Sequence, residues 1–249
     1  MGLSSHQSLS IVIIIYFSPA TLIASWICRR HGLGKQLGWL YLALLSAGRV
    51  VGAGLQIASE ETDSKGLAKA AALIASIGVT ALLLCMLGIL HEIKPRIPPV
   101  ARPVEKAWSF LHIALYAVFI LYVVGMSTSS RSCNRAAAIL VAIIFATQAA
   151  ICIVFFVTYR SHSYKKGYRN KEGGLIGIAL LSIPFLAVRV VYALAAMFAA
   201  GSAFAGNVVV IAFLQYLMEF VVTALFLYAG FFLLPTMQRG TNCELETRA

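Results

Sequence analysis

Ile183-Pro184-Phe185-Leu186-Ala187-Val188-Arg189-Val190-Val191-Tyr192 sets an arginine in the middle of a run, residues 175–198, that is otherwise almost wholly apolar. Such a run crosses a bilayer, because about 20 apolar residues in a helix cover a hydrocarbon core about 30 Å thick. A guanidinium near mid-depth costs at least about 2.5 kcal/mol on insertion scales, so it faces the bundle interior or a wet cavity and has a partner. Arg189 therefore demands a carboxylate or a polar pocket. Glu219, in the next apolar run, is the one acidic residue deep inside such a run.

Composition agrees with that reading. The 249 residues are 60% hydrophobic and 12% charged, with a mean hydropathy of +0.87, which excludes an ordinary soluble core and points to an all-α polytopic membrane protein. The net charge of +11 would suggest nucleic acid if it were gathered on one face of a soluble domain. Here the basic residues fall between apolar runs, so no nucleic-acid partner is expected. Cys28, Cys85, Cys133, Cys152 and Cys243 are scattered without C-x-x-C spacing, and an intrachain disulfide is not expected. The N-terminus lacks the basic region of a cleavable signal, so the first run is expected to remain as a span.

Seven windows are long enough to cross: residues 9–28, 37–58, 67–90, 108–126, 136–159, 175–198 and 208–234, forming a single seven-span domain over residues 1–249. Helices are required, since backbone exposed to lipid must satisfy its own hydrogen bonds. Arg29, Arg30 and Lys35 follow the first span. Lys94, Arg96, Arg102 and Lys106 follow the third, and Arg160, Lys165, Lys166, Arg169 and Lys171 the fifth. The opposite side carries only Lys65, Lys69, Arg131 and Arg135. The positive-inside rule then predicts a cytosolic C-terminus and an N-terminus outside or in a lumen. The proline-rich stretch 94–103 reads as extended. The basic, aromatic loop 164–171 reads as lying on anionic headgroups. No loop is long enough for a soluble domain, so the expected partners are membrane lipid and a lipophilic small molecule, with no soluble partner. An endomembrane such as the endoplasmic reticulum is expected rather than the plasma membrane.

At about 1.5 Å per residue, Arg49 in the second span, Arg189 in the sixth and Glu219 in the seventh reach similar depths, so they are able to meet. Helical spacing gives each a polar neighbour on its own face: Gln56 for Arg49, Tyr192 for Arg189, and Gln215 and Tyr216 for Glu219. Gly48 and Gly52 form a G-x-x-x-G pattern beside Arg49 that admits a close helix neighbour. Pro184 is placed to free the carbonyl of Leu180 and kink the sixth span. Two cations against one anion leave a positive charge unpaired, which an anionic or oxygen-rich ligand would suit. The competing reading is a clamp that fixes helix registry. Beyond the membrane, Ser59-Glu60-Glu61-Thr62-Asp63 makes an acidic mouth, read either as a solvated turn or as a secondary acid site.

Several chemistries lack their residues. Asp63 is the only aspartate in the chain, so the aspartate-rich motifs that bind magnesium diphosphate do not occur. H-E-x-x-H, G-x-S-x-G and the P-loop pattern are missing. His91 and His112 lie near span ends, a weak basis for a bis-histidine haem. Neither metal nor cofactor is expected.

The segments Ser46-Ala47-Gly48-Arg49-Val50-Val51-Gly52-Ala53-Gly54-Leu55-Gln56 and Ile183 through Tyr192 resemble a largely uncharacterised family of fungal seven-span proteins. Some fungal membrane proteins of this size are terpene cyclases of meroterpenoid biosynthesis. That resemblance implies a metal-free reaction in which a carboxylic acid protonates an epoxide or alkene of a prenyl chain and the cation closes rings. It assigns Glu219 as the acid or its supporter and Glu60 or Glu61 as the substitute donor. Arg49, Arg189, Gln56, Gln215, Tyr192 and Tyr216 would contact substrate, with Phe185 and Trp39 as further aromatic lining. Burial favours a protonated carboxyl group and a close arginine favours the ionised one, so the implied acid and its neighbours pull in opposite directions. The alternative from another class is a non-enzymatic receptor-like or small-solute membrane protein in which the same residues form a lock.

Overall fold

Peptide groups that leave water for lipid must bond within their own segment, and the apolar runs do so as helices. The computed structural model describes residues 5–31, 37–93, 102–128, 130–166, 171–198 and 208–233. These form α1 (Ser5–His31), α2 (Leu37–Thr62), α3 (Lys65–Ile93), α4 (Arg102–Ser127), α5 (Arg131–Lys166), α6 (Lys171–Phe198) and α7 (residues 208–233). Each of the seven is long and apolar enough to cross a membrane, and no strand occurs among the described residues. The chain is thus an all-α, multi-pass membrane protein. The helices overrun the expected spans at most ends, because a helix does not stop where the hydrocarbon does.

Two expectations change at these ends. α4 starts at Arg102, so the end of the stretch read as extended is helical. Proline is tolerated in a first turn, where its missing N–H would have had no intrahelical acceptor. Tyr164, Lys165 and Lys166 continue α5 and Lys171 begins α6, which shortens the basic loop. Lys35, the remaining loop residues 94–101 and 167–170, and the basic tail lie outside the described residues. α6 runs on through Pro184, and α1 through Pro19.

α3 is the central helix. In its most apolar window 61% of residues are buried, against no more than 39% in any other span. Six consecutive residues, Leu82, Leu83, Leu84, Cys85, Met86 and Leu87, are all buried, which requires neighbours on every side. α2, α4, α5 and α6 pack around it, α1 lies against α2 and α7, and α7 closes the ring against α6.

Small residues bring α2 and α3 together. A Cβ on Gly88 would lie 2.2 Å from the Cα of Gly38, so the two backbones touch there. Toward the other end of α2, a Cβ on Gly52 would come within 2.9 Å of Ile74 Cγ2. Gly48 behaves differently: its Cβ would meet only Ile74 Cγ2, at 4.0 Å. The G-x-x-x-G pattern thus serves close approach at Gly52 and leaves open space at Gly48. The α2–α3 connection is a two-residue turn in which Asp63 takes φ of 52°, a left-handed conformation that aspartate adopts more readily than most residues.

α7 is a composite: α-helical Val208–Ile211, π-helical Ala212–Leu217, α-helical Met218–Tyr228 and π-helical Ala229–Leu233. The first π segment ends two residues before Glu219. α1 braces it there, since Tyr16 stacks on Phe220 at 4.2 Å between centroids and its hydroxyl donates to the Phe220 carbonyl over 2.7 Å. A small apolar cluster of Ile13, Phe17, Ala20 and Ala53 packs around the same contact.

Candidate functional site: a buried arginine–glutamate centre

The three charged residues that the sequence sets at similar depth meet. Arg49 Nη2 donates to Glu219 Oε1 over 2.5 Å, and Arg189 Nε donates to the same oxygen over 2.8 Å. Arg49 and Arg189 are each 3% exposed and Glu219 is wholly buried. Charge-assisted bonds of this length are the strong kind, and burial denies them the screening that weakens surface pairs. Two guanidinium groups face one carboxyl group, so even with that group ionised the centre carries an excess positive charge.

α3 supplies the missing wall. The carbonyl of Ala75 accepts from Arg49 Nη2 at 3.3 Å and from Arg189 Nη2 at 3.4 Å. Gly78, one turn further along, makes room for the guanidinium: a Cβ there would lie 1.8 Å from Arg49 Nη2 and 2.6 Å from its Cζ. Tyr216 covers another face of Arg49, its ring centroid 5.5 Å from Cζ, within cation–π range. Despite this enclosure, Arg49 Nε and Glu219 Oε2 have no hydrogen-bond partner among the described residues. Thr223, four residues after Glu219 on α7, is also wholly buried with its hydroxyl unpartnered.

Arg49 separates two cavities. One, of about 240 Å³, is lined by Ser10, Ile13, Gly52, Gln56, Gln215 and Tyr216 among others, on the side of Arg49 nearer the α2–α3 turn. The second, of about 410 Å³, is a lateral apolar groove lined by Tyr41, Leu44, Leu45, Gly48, Gly78, Tyr116 and Phe119 among others. The Tyr41 and Tyr116 hydroxyls are hydrogen-bonded to each other. Both volumes far exceed the space one water needs.

The other sequence-predicted residues divide. Gln56 lines the first cavity but turns away from the charged centre, its Nε2 donating to Glu60 Oε1 over 3.4 Å. Glu60 is half-buried beside it and Glu61 is exposed. Gln215 and Tyr216 line the same cavity. Tyr192 is buried on α6 but lines neither cavity. Trp39 is buried at the far end of α2 against Gly230, and Phe185 packs on the main core. Ala75 and Gly78 escape sequence reading, since an alanine carbonyl carries no signal and a glycine in an apolar helix marks close approach without naming the neighbour.

This arrangement holds an electropositive, buried point between a vestibule of mixed polarity and an apolar groove. It suits an oxygen acceptor or anion attached to a hydrocarbon body. No curated protein matches the chain, and no solved structure matches it. A family model does match, over residues 3–236, nearly the whole length. By that match the chain belongs to the family described as the domain of unknown function DUF7702.

Proposed function

We propose that the protein binds a lipophilic molecule within the membrane and holds an anionic or oxygen-rich group of it against Arg49. The observation that carries this reading is a buried arginine that lines a cavity on either side and whose Nε has no hydrogen-bond partner among the described residues. A clamp whose only task is registry is best served when every donor and acceptor is satisfied and the surroundings are filled. This centre leaves one donor and one carboxyl oxygen free. The test compares wild type with the triple variant Arg49→Met, Arg189→Met, Glu219→Leu, each purified in mild detergent and extracted for mass spectrometry. The wild type should retain a discrete lipophile that the triple variant lacks. Identical bulk-lipid profiles from two folded proteins would refute the reading.

A second reading has a specific observation in its favour. The aromatic lining of the groove by Tyr41, Tyr116 and Phe119 suits a carbocation, so the bound molecule becomes a prenyl or epoxyprenyl chain cyclised without metal, as in meroterpenoid-type pathways. The acid's proton passes to the epoxide oxygen, a C–O bond breaks, ring C–C bonds form, and a proton leaves carbon at the end. Glu219 Oε1 is taken up by two guanidinium groups, so Glu219 acts here as supporter. Glu60, hydrogen-bonded to the vestibule residue Gln56, is the donor, so in this reading the epoxide end lies in the vestibule and the chain runs past Arg49 into the groove. Membranes carrying the protein, given a farnesyl-type epoxide, should form a cyclic isomer of unchanged mass, and Glu60→Gln should abolish it. An untouched substrate eliminates this chemistry while leaving the binding reading intact. In both readings the basic loops face the cytosol, and an endomembrane such as the endoplasmic reticulum is the expected site.

A further inference from the structure

We infer that the ligand is a single-chain monocarboxylate that enters sideways from the bilayer, its chain in the groove between α2 and α4 and its carboxylate on Arg49; this rests on the binding reading above. α2 and α4 both lean on α3, and the space between them is bridged by the Tyr41–Tyr116 hydroxyl pair. From Tyr41 to Arg49 the groove follows α2 for about 12 Å, at about 1.5 Å per residue. Its floor is buried Leu45, Gly78 and Leu84, and its rim is Leu44, Tyr116 and Phe119, which are 59%, 46% and 40% exposed. In a membrane that rim faces acyl chains, so a lipophile passes it without crossing water. About 410 Å³ lies near the lower end of small-molecule sites, about 300–1,000 Å³, which suits one chain.

Charge selects the head. The groove ends on Arg49, whose Nε has no partner among the described residues, and among those residues the centre sets two guanidinium groups against one carboxyl group, that of Glu219. One added negative charge neutralises it. A diphosphate would overshoot, leaving excess negative charge in a low-dielectric interior at high cost. An alcohol or ester would accept the hydrogen bond and leave the positive charge uncompensated.

The test uses the full chain in lipid nanodiscs with a diazirine-bearing myristic acid, competed by myristic acid or by its methyl ester. Gly48→Leu fills the groove that the native glycine lines, and Gly54→Leu is the control, since a Cβ at Gly54 meets nothing within 4 Å among the described residues and Gly54 lines neither cavity. The acid should compete at least ten-fold better than the ester, label should map to α2 and α4, and Gly48→Leu should reduce labelling at least ten-fold while Gly54→Leu does not. Equal competition by acid and ester overturns the monocarboxylate. Undiminished labelling of a folded Gly48→Leu protein overturns the groove. In either case the lipophile retained by wild type and lost from the triple variant still stands; its absence is what removes the underlying reading.

Discussion

Gln148 on α5 and the Arg49–Arg189–Glu219 centre both reach a backbone carbonyl of α3. Gln148 is wholly buried, and its Nε2 donates to the Leu83 carbonyl over 3.1 Å while its Oε1 has no partner among the described residues. The charged centre uses the Ala75 carbonyl in the same way, but a cavity lies on each side of Arg49. No lining residue of either cavity comes from α5. A neutral amide in hydrocarbon needs one bond and tight packing to be tolerated. A guanidinium needs a counter-charge, several acceptors and room, and this protein provides more room than the ion pairs fill. The difference separates a helix-packing bond from a site.

The largest break is Glu219→Leu, which abandons two buried guanidinium groups and should cost about 3–5 kcal/mol, read as loss of monodisperse protein in detergent. Replacing all three charges with Met, Met and Leu should recover most of that stability, because a buried ion group exchanged for apolar residues of similar volume is often neutral. Its melting temperature should return toward wild type while bound lipophile stays absent. Glu219→Gln keeps an oxygen for the two arginines and should fall between the single Leu variant and wild type.

Gly78→Ala comes next. Its methyl group would overlap Arg49 Nη2, and overpacking of this kind costs about 1–3 kcal/mol. The melting temperature should drop and ligand retention fall with it. Gly54→Ala, on the same helix as Arg49 but meeting nothing, should leave both unchanged or raise stability slightly. A Gly78→Ala protein that matched wild type in both measurements would mean the guanidinium does not need that gap.

Gln148→Leu is expected to do least. Interhelical hydrogen bonds in membrane proteins average about 0.6 kcal/mol, and the change also removes an unpartnered buried oxygen. Lipophile retention should be untouched. If Gln148→Leu lowered retention as much as Gly78→Ala, the distinction between the two polar regions would collapse.

By itself the sequence determined the seven spans, the all-α class and the need for a partner at Arg189, with Arg49 and Glu219 at matching depth. Length and hydropathy set the free energy of entering lipid, and an intramembrane charge without a partner costs too much to persist. Only the tertiary structure decided which carbonyl receives the arginines, that Gly78 clears space for one of them, that Gly48 opens a groove while Gly52 closes a gap, and that Trp39 and Tyr192 line neither cavity. Those outcomes depend on which faces of distant helices come together around α3. Side-chain periodicity says that a helix has faces but leaves their neighbours open, whereas contacts between helices far apart in sequence choose them.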